Sequence, residues 1–404
     1  MKKLTFSNTM IIATILGFLA GIIFKDFMTN FKFLGDIFLR LMQMSVVLLI
    51  MGAIIESVGA LKPKDLGTLG LKTIVMFLIT TVVAASVGIL VVNLIQPGEG
   101  VIGVLPQEYT GNLFEGNVVD LMVDFVPRNI MASMSSGNII QVIVFAIFFG
   151  LAISFLQENE DVWKIYQFIQ SLNVVIMQLI KIVMKFAPIG VFALLANITG
   201  TIGFAVVVPL FKFLLSMFLG SFLVIVLFLG LISIYAKINP FSFLKKIKNS
   251  IIVSATTTSS AISLPIQMED CEERLGISRR VSRLVNPLAM TLNSDGLALT
   301  ISIACIMIAQ FYGIQLSLSQ QIVIVAVSTL TTMGNLLVPG GALVAIAIAF
   351  QMVGLPLEGV ALLAGVDWFA GIARTLLNVI DDILVAFYVA VSEKEFNREI
   401  FDRS

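Results

Sequence analysis

Long apolar runs separated by short polar links dominate this chain. Crossing a bilayer as a helix takes about 20 apolar residues. Runs of that order lie near 8–24, 34–59, 70–96, 138–156, 164–197, 203–236, 281–312 and 355–391. The first follows Lys2 and Lys3 and has the outline of a signal peptide. No small-residue cleavage site with a polar sequel follows it, and further apolar runs come at once, so it reads as the first membrane helix.

Two segments do not fit a span. Positions 245–276, KKIKNSIIVSATTTSSAISLPIQMEDCEERLG, place a hydroxyl-rich core between two apolar halves, with charges at both ends. Positions 318–356 carry two apolar arms of about a dozen residues around TTMGNLLVPGG, with uncharged ends. Arms this short do not cross a bilayer. Each segment reads as a re-entrant helical hairpin, entering and leaving on one side, or as one kinked span. Gly334, Pro339, Gly340 and Gly341 expose backbone at the second tip, which membrane depth tolerates only inside protein or beside water. Paired broken segments of this kind point to a transporter binding site at the midplane.

Lysine and arginine then orient the spans. Lys2 and Lys3 precede the first, and Lys62 and Lys64 follow the second. Lys237, Lys245, Lys246 and Lys248 follow the sixth, and Arg274, Arg279, Arg280 and Arg283 precede the seventh. The links after the third and seventh spans carry neither residue type. Eight spans with basic links inside put both termini in the cytoplasm. Lys25 and Lys32, in the first external link, are the exceptions.

The last span is the most polar. In GVDWFAGIARTLLNVIDDILVAFY, positions Asp367, Gly371, Arg374, Asn378 and Asp382 are spaced by four, three, four and four residues, so they share one helical face. Ionisable groups inside a membrane mark an ion or substrate path by default. Internal pairing of Arg374 with Asp367 or Asp381 is the purely structural alternative. A second polar cluster, NPLAMTLNSDGLAL at 286–299, sets Asn293, Ser294 and Asp295 between Pro287 and Gly296, as in a helix that unwinds at mid-membrane. Freed carbonyls, an amide and a carboxylate are hard oxygen ligands suited to alkali cations.

Composition narrows the function. The 404 residues are 58% hydrophobic and 12% charged, with a mean hydropathy of +1.03, which describes a polytopic all-α membrane protein. A net charge of +0 offers nothing to nucleic acid. Cys271 and Cys305 have no metal-binding spacing. With no histidine and no nucleophile beside a base, an enzyme is not indicated. A channel would share the hairpins and unwound helices, but not a single stripe centred on one arginine.

Taken in order, SATTTSSAISLP, NSDG, TMGNLLVPGG and RTLLNVIDD, with FVPRNIMASMSSGNIIQVIVFAIFFG in the fourth span, resemble the dicarboxylate/amino acid:cation symporter family, which includes the glutamate transporters. The resemblance covers nearly the whole chain. It implies eight transmembrane helices, two hairpins, inverted repeats and a homotrimer in the plasma or inner membrane, working as an elevator. The scaffold would comprise residues 1–69 and 98–200, and the moving transport domain residues 70–97 and 201–404. The cofactor implied is co-transported Na+. One sodium set would be Asn293, Asp295, Asn378 and Asp382 with the Ala289 carbonyl. A second would join Phe77, Thr80 and Thr81 to Asn293 and Asp295, and a third would take carbonyls from Thr291, Thr332, Met333 and Asn335. Substrate would meet Ser259 and Ser260 at the first tip, Val338 and Gly340 at the second, and Gly371, Arg374, Thr375 and Asn378 in the last span. Arg374 sits where members that carry acidic substrates hold the distal carboxylate, and a guanidinium fork suits that group.

Three positions depart from the amino-acid carriers. Gly371 stands where they have the aspartate that takes the substrate ammonium. Leu297 replaces the threonine of NMDGT, and Asn335, Leu336 and Leu337 occupy a tip where small residues are usual. An ammonium buried without a partner costs several kcal/mol. The expectation is therefore a C4-dicarboxylate or similar organic anion, with glutamate or aspartate as the alternative.

Overall fold

The computed structural model describes residues 6–61, 68–99, 123, 125–332 and 341–403. Among these, regular structure is helical, with one isolated bridge between Ile277 and Phe396. The helices that position the site are α1 (Phe6–Phe24), α2 (Lys32–Gln43), α3 (Val46–Gly59), α4 (Thr68–Ile95), α5 (Ile139–Phe155), α6 (Glu160–Met184), α7 (Ala187–Ile202) and α8 (Val207–Ala236). They continue with α9 (Lys248–Thr257), α10 (Ser260–Glu269), α11 (Arg279–Leu292), α12 (Asp295–Phe311), α13 (Leu318–Thr332), α14 (Gly341–Val353), α15 (Glu358–Ala364) and α16 (Asp367–Ser392). By length and composition, five helical stretches are able to cross a membrane: Leu69–Ile95, Glu160–Met184, Gly203–Ala236, Arg279–Phe311 and Asp367–Ser392.

Four expected spans are interrupted. Positions 34–59 break at Met44–Ser45. Positions 164–197 break at Lys185–Phe186, where Pro188 in the first turn of α7 cannot continue the preceding helix. The helix before that break also starts earlier than expected, because the Asn159 side chain accepts from the Asp161 and Val162 amides. Positions 281–312 part at Asn293–Ser294, as the Pro and Gly pattern predicts, and positions 355–391 part at Gly365–Val366.

Small residues set the closest approaches. Gly17 and Gly21, four apart on α1, face α7, where a Cβ would meet Phe192 O at 2.7 Å and Thr199 Oγ1 at 1.9 Å. With lipid equally apolar outside, such backbone approach is what holds membrane helices together. The helices sort by what they touch. One group packs α1, α2 and α7 together, with α3 against α5 and α6; the other packs α4, α8, α12 and α16 together with α9, α13 and α14. Nearly all of α12 is buried, whereas α8 turns Phe211, Phe222 and Ile234 outward, a flank suited to lipid.

Polar ties order the helix ends. Lys72 at the start of α4 pairs with Glu393 just past α16, Ser278 before α11 binds Glu395, and Arg398 donates to Lys237 O past α8. Those four ends lie together. At the opposite end, Lys212 donates to Gln96 O, and the Gly98 amide donates to Gln310 near the end of α12. Asn93 donates to Gln321 there at 2.9 Å, so α13 opens from the end opposite to α9. The two arms α9 and α10 are tied at their base, where Asp270 accepts from the Ser250 amide and hydroxyl (3.1 and 2.6 Å) and pairs with Arg274.

Candidate functional site

Three helix N-termini converge on one cavity of about 590 Å3. Ser259 and Ser260 begin α10, Ser294 precedes α12, and Gly341 begins α14; all four residues line it. The Ser259 hydroxyl caps α10 by accepting from the Ile262 amide at 3.4 Å. Helix N-termini carry partial positive charge and free amides, so their convergence favours an anion. Just ahead of Ser259, Thr258 holds φ at +49°. A β-branched residue rarely enters that left-handed region, which makes the tip a strained turn.

The far wall belongs to α16. Asp367, Gly371, Arg374 and Asn378 of the shared face line the cavity, together with Thr375. Arg374 chooses Asp367 of its two candidate partners: Nη1 and Nη2 each donate to Asp367 Oδ1 at 3.1 Å. The pair is 14% and 18% exposed, so both charges reach the cavity. A Cβ at Gly371 would meet only Arg374 Nη2, at 3.4 Å, so the position has room for a side chain. Leu297, where the resemblance puts a threonine, lines the wall as well. Val338 and Gly340 lie outside the described residues.

Behind this wall lies the polar cluster expected to hold cations. Thr81 donates to Asn293 Oδ1 at 3.1 Å and to Asp295 Oδ1 at 2.6 Å, and Thr80 reaches Asn293 Oδ1 at 3.5 Å and Phe77 O at 3.1 Å. Asn293 Nδ2 donates to Asp382 Oδ1 at 3.1 Å, across from α11 to α16. Phe77, Thr80, Thr81, Asn293, Asp295 and Asp382 thus lie together. The Ala289 carbonyl accepts from the Asn293 amide at 2.8 Å, closing the last turn before the break. Asn378, which lines the cavity, is tied to the residues on either side of Asp295: its Oδ1 accepts from the Gly296 amide at 2.7 Å, and its Nδ2 donates to Ser294 Oγ at 3.1 Å. Gly296 is obligatory here, because a Cβ would lie 2.2 Å from Arg374 O. Of the third set, Thr291 sits in the last turn of α11 and Thr332 ends α13, while Met333 and Asn335 lie outside the described residues.

Three site residues were missing from the expected set. Asp367 and Ser294 line the cavity, and their nearness to Arg374 and to the NSDG break was the available signal. Asp381 is fully buried beside Asp295 and Asp382. Its place next to Asp382 was visible in sequence, but its surroundings were not.

Apolar outer flanks around a polar cavity and a buried carboxylate cluster suit a multi-pass membrane transporter. The chain belongs to the sodium:dicarboxylate symporter family, whose model matches residues 6–392. It is 35% identical over 406 residues to a proton/glutamate-aspartate symporter of Bacillus subtilis (strain 168), covering 99% of this chain and 97% of that one. It is 34% identical over 411 residues to a proton/sodium-glutamate symport protein of Bacillus caldotenax, at 99% and 97% coverage. To a C4-dicarboxylate transport protein of Anaeromyxobacter sp. (strain K) it is 31% identical over 398 residues, covering 96% and 90%.

Proposed function

We propose that the chain is a sodium-coupled symporter that imports a C4-dicarboxylate or similar organic anion. The observation that carries this reading is that Asn378, in the wall of the cavity, is bonded to Ser294 and Gly296, the two residues that flank Asp295 of the carboxylate cluster. Arg374 and three helix N-termini fix carboxylates on one side. On the other, Asp295 and Asp382 with Asn293, Thr80 and Thr81 offer oxygens to Na+, which is cargo. Binding a cation pulls on Asn293 and the Ser294–Gly296 break, and so shapes the wall that substrate touches. That contact couples the two bindings.

Eight spans, two hairpins and cytoplasmic termini fit the grouped helix ends, with α9 and α13 opening from opposite ends. The division into a scaffold (1–69, 98–200) and a moving transport domain (70–97, 201–404) follows the two packing groups. A homotrimer in the plasma or inner membrane, working as an elevator, completes the proposal. One observation favours a second reading, in which acidic amino acids are carried. Asp367 presents a carboxylate to the cavity one turn from Gly371, where an ammonium could find it.

Uptake into proteoliposomes under an imposed sodium gradient tests both. Succinate, malate and fumarate outcompeting aspartate and glutamate supports the first reading, and the reverse order supports the second. Uptake driven equally well by a proton gradient without sodium overturns the coupling ion.

A further inference from the structure

A second cavity, of about 150 Å3, lies on the seam between the two packing groups of helices. From the first group come Phe38 of α2, Val47 of α3 and Leu194 of α7, and from the second Val344, Ala347 and Ile348 of α14. Val360 and Ala364 of α15 line it as well. In the proposed division, α2, α3 and α7 belong to the scaffold, and α14 and α15 to the moving domain. Leu343 and Ala364 line this cavity and the substrate cavity alike, so the two share a wall. Across the same seam, Lys32 of α2 pairs with Glu358 of α15 at 3.7 Å. Both side chains are half-exposed, so that tie is weak.

The lining selects what the cavity takes. Among the described residues, Gln351 is the one lining side chain able to hydrogen-bond, and none is charged. A water needs about two to four polar partners to be held, more than this lining offers. An anion fares worse, since nothing here offsets its desolvation. Lining atoms that face a void forfeit dispersion contacts, and an apolar guest supplies them. An uncharged molecule of about benzene's size suits a cavity of this volume and lining. The bilayer concentrates such molecules around the protein.

We propose that this cavity binds a small uncharged apolar molecule, and that its occupant arrests transport by holding the two helix groups in their present arrangement. The inference rests on the reading in which a transport domain moves against a scaffold. A guest that touches both groups stabilises only the arrangement that has this cavity, and sliding the groups apart breaks one set of its contacts. The maximal rate of uptake falls, while the anion site centred on Arg374 stays free to bind.

Benzene is the probe, with the purified full chain in nanodiscs for melting and in proteoliposomes for uptake. In wild type it is expected to raise the melting temperature saturably and to depress the maximal uptake rate over the same concentration range. Labelled substrate should stay bound throughout. Ala347→Phe puts a phenyl ring where the guest would sit, and it should lose both responses. Because that ring is attached to one group only, the variant should still transport. Should Ala347→Phe fail to assemble, Ala347→Leu is read by the same measurements. Equal responses in wild type and variant overturn the proposal, because benzene then acts through the bilayer. Displacement of labelled substrate overturns it too, since the guest then occupies the anion cavity. So does a melting rise confined to wild type with uptake untouched, because the occupant then arrests nothing. Wild type that carries no anion even without benzene would instead sink the transport reading, and the melting comparison would still decide whether the cavity takes the guest.

Discussion

The two halves of α16 solve the problem of buried charge in opposite ways. Toward its N-terminus, Arg374 and Asp367 compensate each other at 3.1 Å and keep an edge in the cavity. Toward mid-helix, Asp381 and Asp382 meet Asp295 with amides and hydroxyls around them, and no cationic side chain pairs with them among the described residues. The first half is self-sufficient, and substrate has to displace or share an existing ion pair. The second half is in deficit, which the proposed sodium cargo would complete. The difference sets an uncompensated carboxylate cluster against a compensated cavity wall.

The comparison breaks most completely at Arg374. Arg374→Ala removes the fixed cation and leaves Asp367 unpaired in a partly buried wall. Breaking such a pair from one side costs about 3–5 kcal/mol when it is buried. Binding of every doubly anionic solute should be lost, as measured by competition against a labelled substrate at saturating sodium. Sodium binding without substrate should persist, because the deficit half is untouched. Joint loss of both bindings would erase the distinction between the halves.

Asp382→Asn strikes the other half. Sodium dependence of uptake should weaken strongly while the oligomer assembles normally, since Asn keeps the shape and an acceptor for Asn293 Nδ2. Hydrogen bonds and contacts to a charged group are worth about 1.5–3 kcal/mol each, so the sodium concentration for half-maximal uptake should rise roughly 10- to 150-fold. Unchanged sodium activation counts decisively against the assignment.

Much of this contrast was legible before folding. The four-three-four-four spacing puts Asp367 through Asp382 on one face because a helix repeats every 3.6 residues, and the structure brings those residues to one wall and its rear. The break at Asn293 was legible too, between a proline and a glycine. The breaks at Met44–Ser45 and Gly365–Val366 were not, since no proline marks either and hydropathy alone does not register a turn. Arg374 had two acidic partners within reach in sequence, and only the packing of α16 against its neighbours decides for Asp367. Likewise, a sequence shows that Asp381 is there but not that it is buried against Asp295 of another helix. Satisfaction of a buried group is a property of the tertiary fold.

A sharper test lies within the cavity half. Gly371→Asp adds a carboxylate where a Cβ has room, beside Arg374 Nη2. It should raise the affinity for aspartate or glutamate relative to succinate or malate by roughly 10- to 150-fold, the worth of one charged hydrogen bond. Competition curves for the four solutes check this. Should wild type already prefer aspartate to succinate by a wide margin, Asp367 is the partner of the amine and the dicarboxylate reading gives way to the second one.

The smallest expected effect is at Thr258, where the two halves should respond differently to relief of strain. A left-handed conformation costs an ordinary residue about 1–2 kcal/mol, and asparagine enters it far more readily than a β-branched side chain does. The Thr258 hydroxyl bonds only to Thr257 O at 2.8 Å among the bonds described, so little is lost with it. Thr258→Asn should therefore raise the melting temperature slightly in sodium-free and sodium-replete buffer alike, because the tip contributes nothing to the carboxylate cluster. A rise that appears only with sodium would tie the tip to the cation half instead. Strain stored at a cavity rim is often part of how a segment moves, so uptake rate, measured at saturating sodium and substrate, should fall in Thr258→Asn even as the protein becomes more stable. A variant that is both more stable and equally fast would show that the turn at Thr258 is incidental to transport.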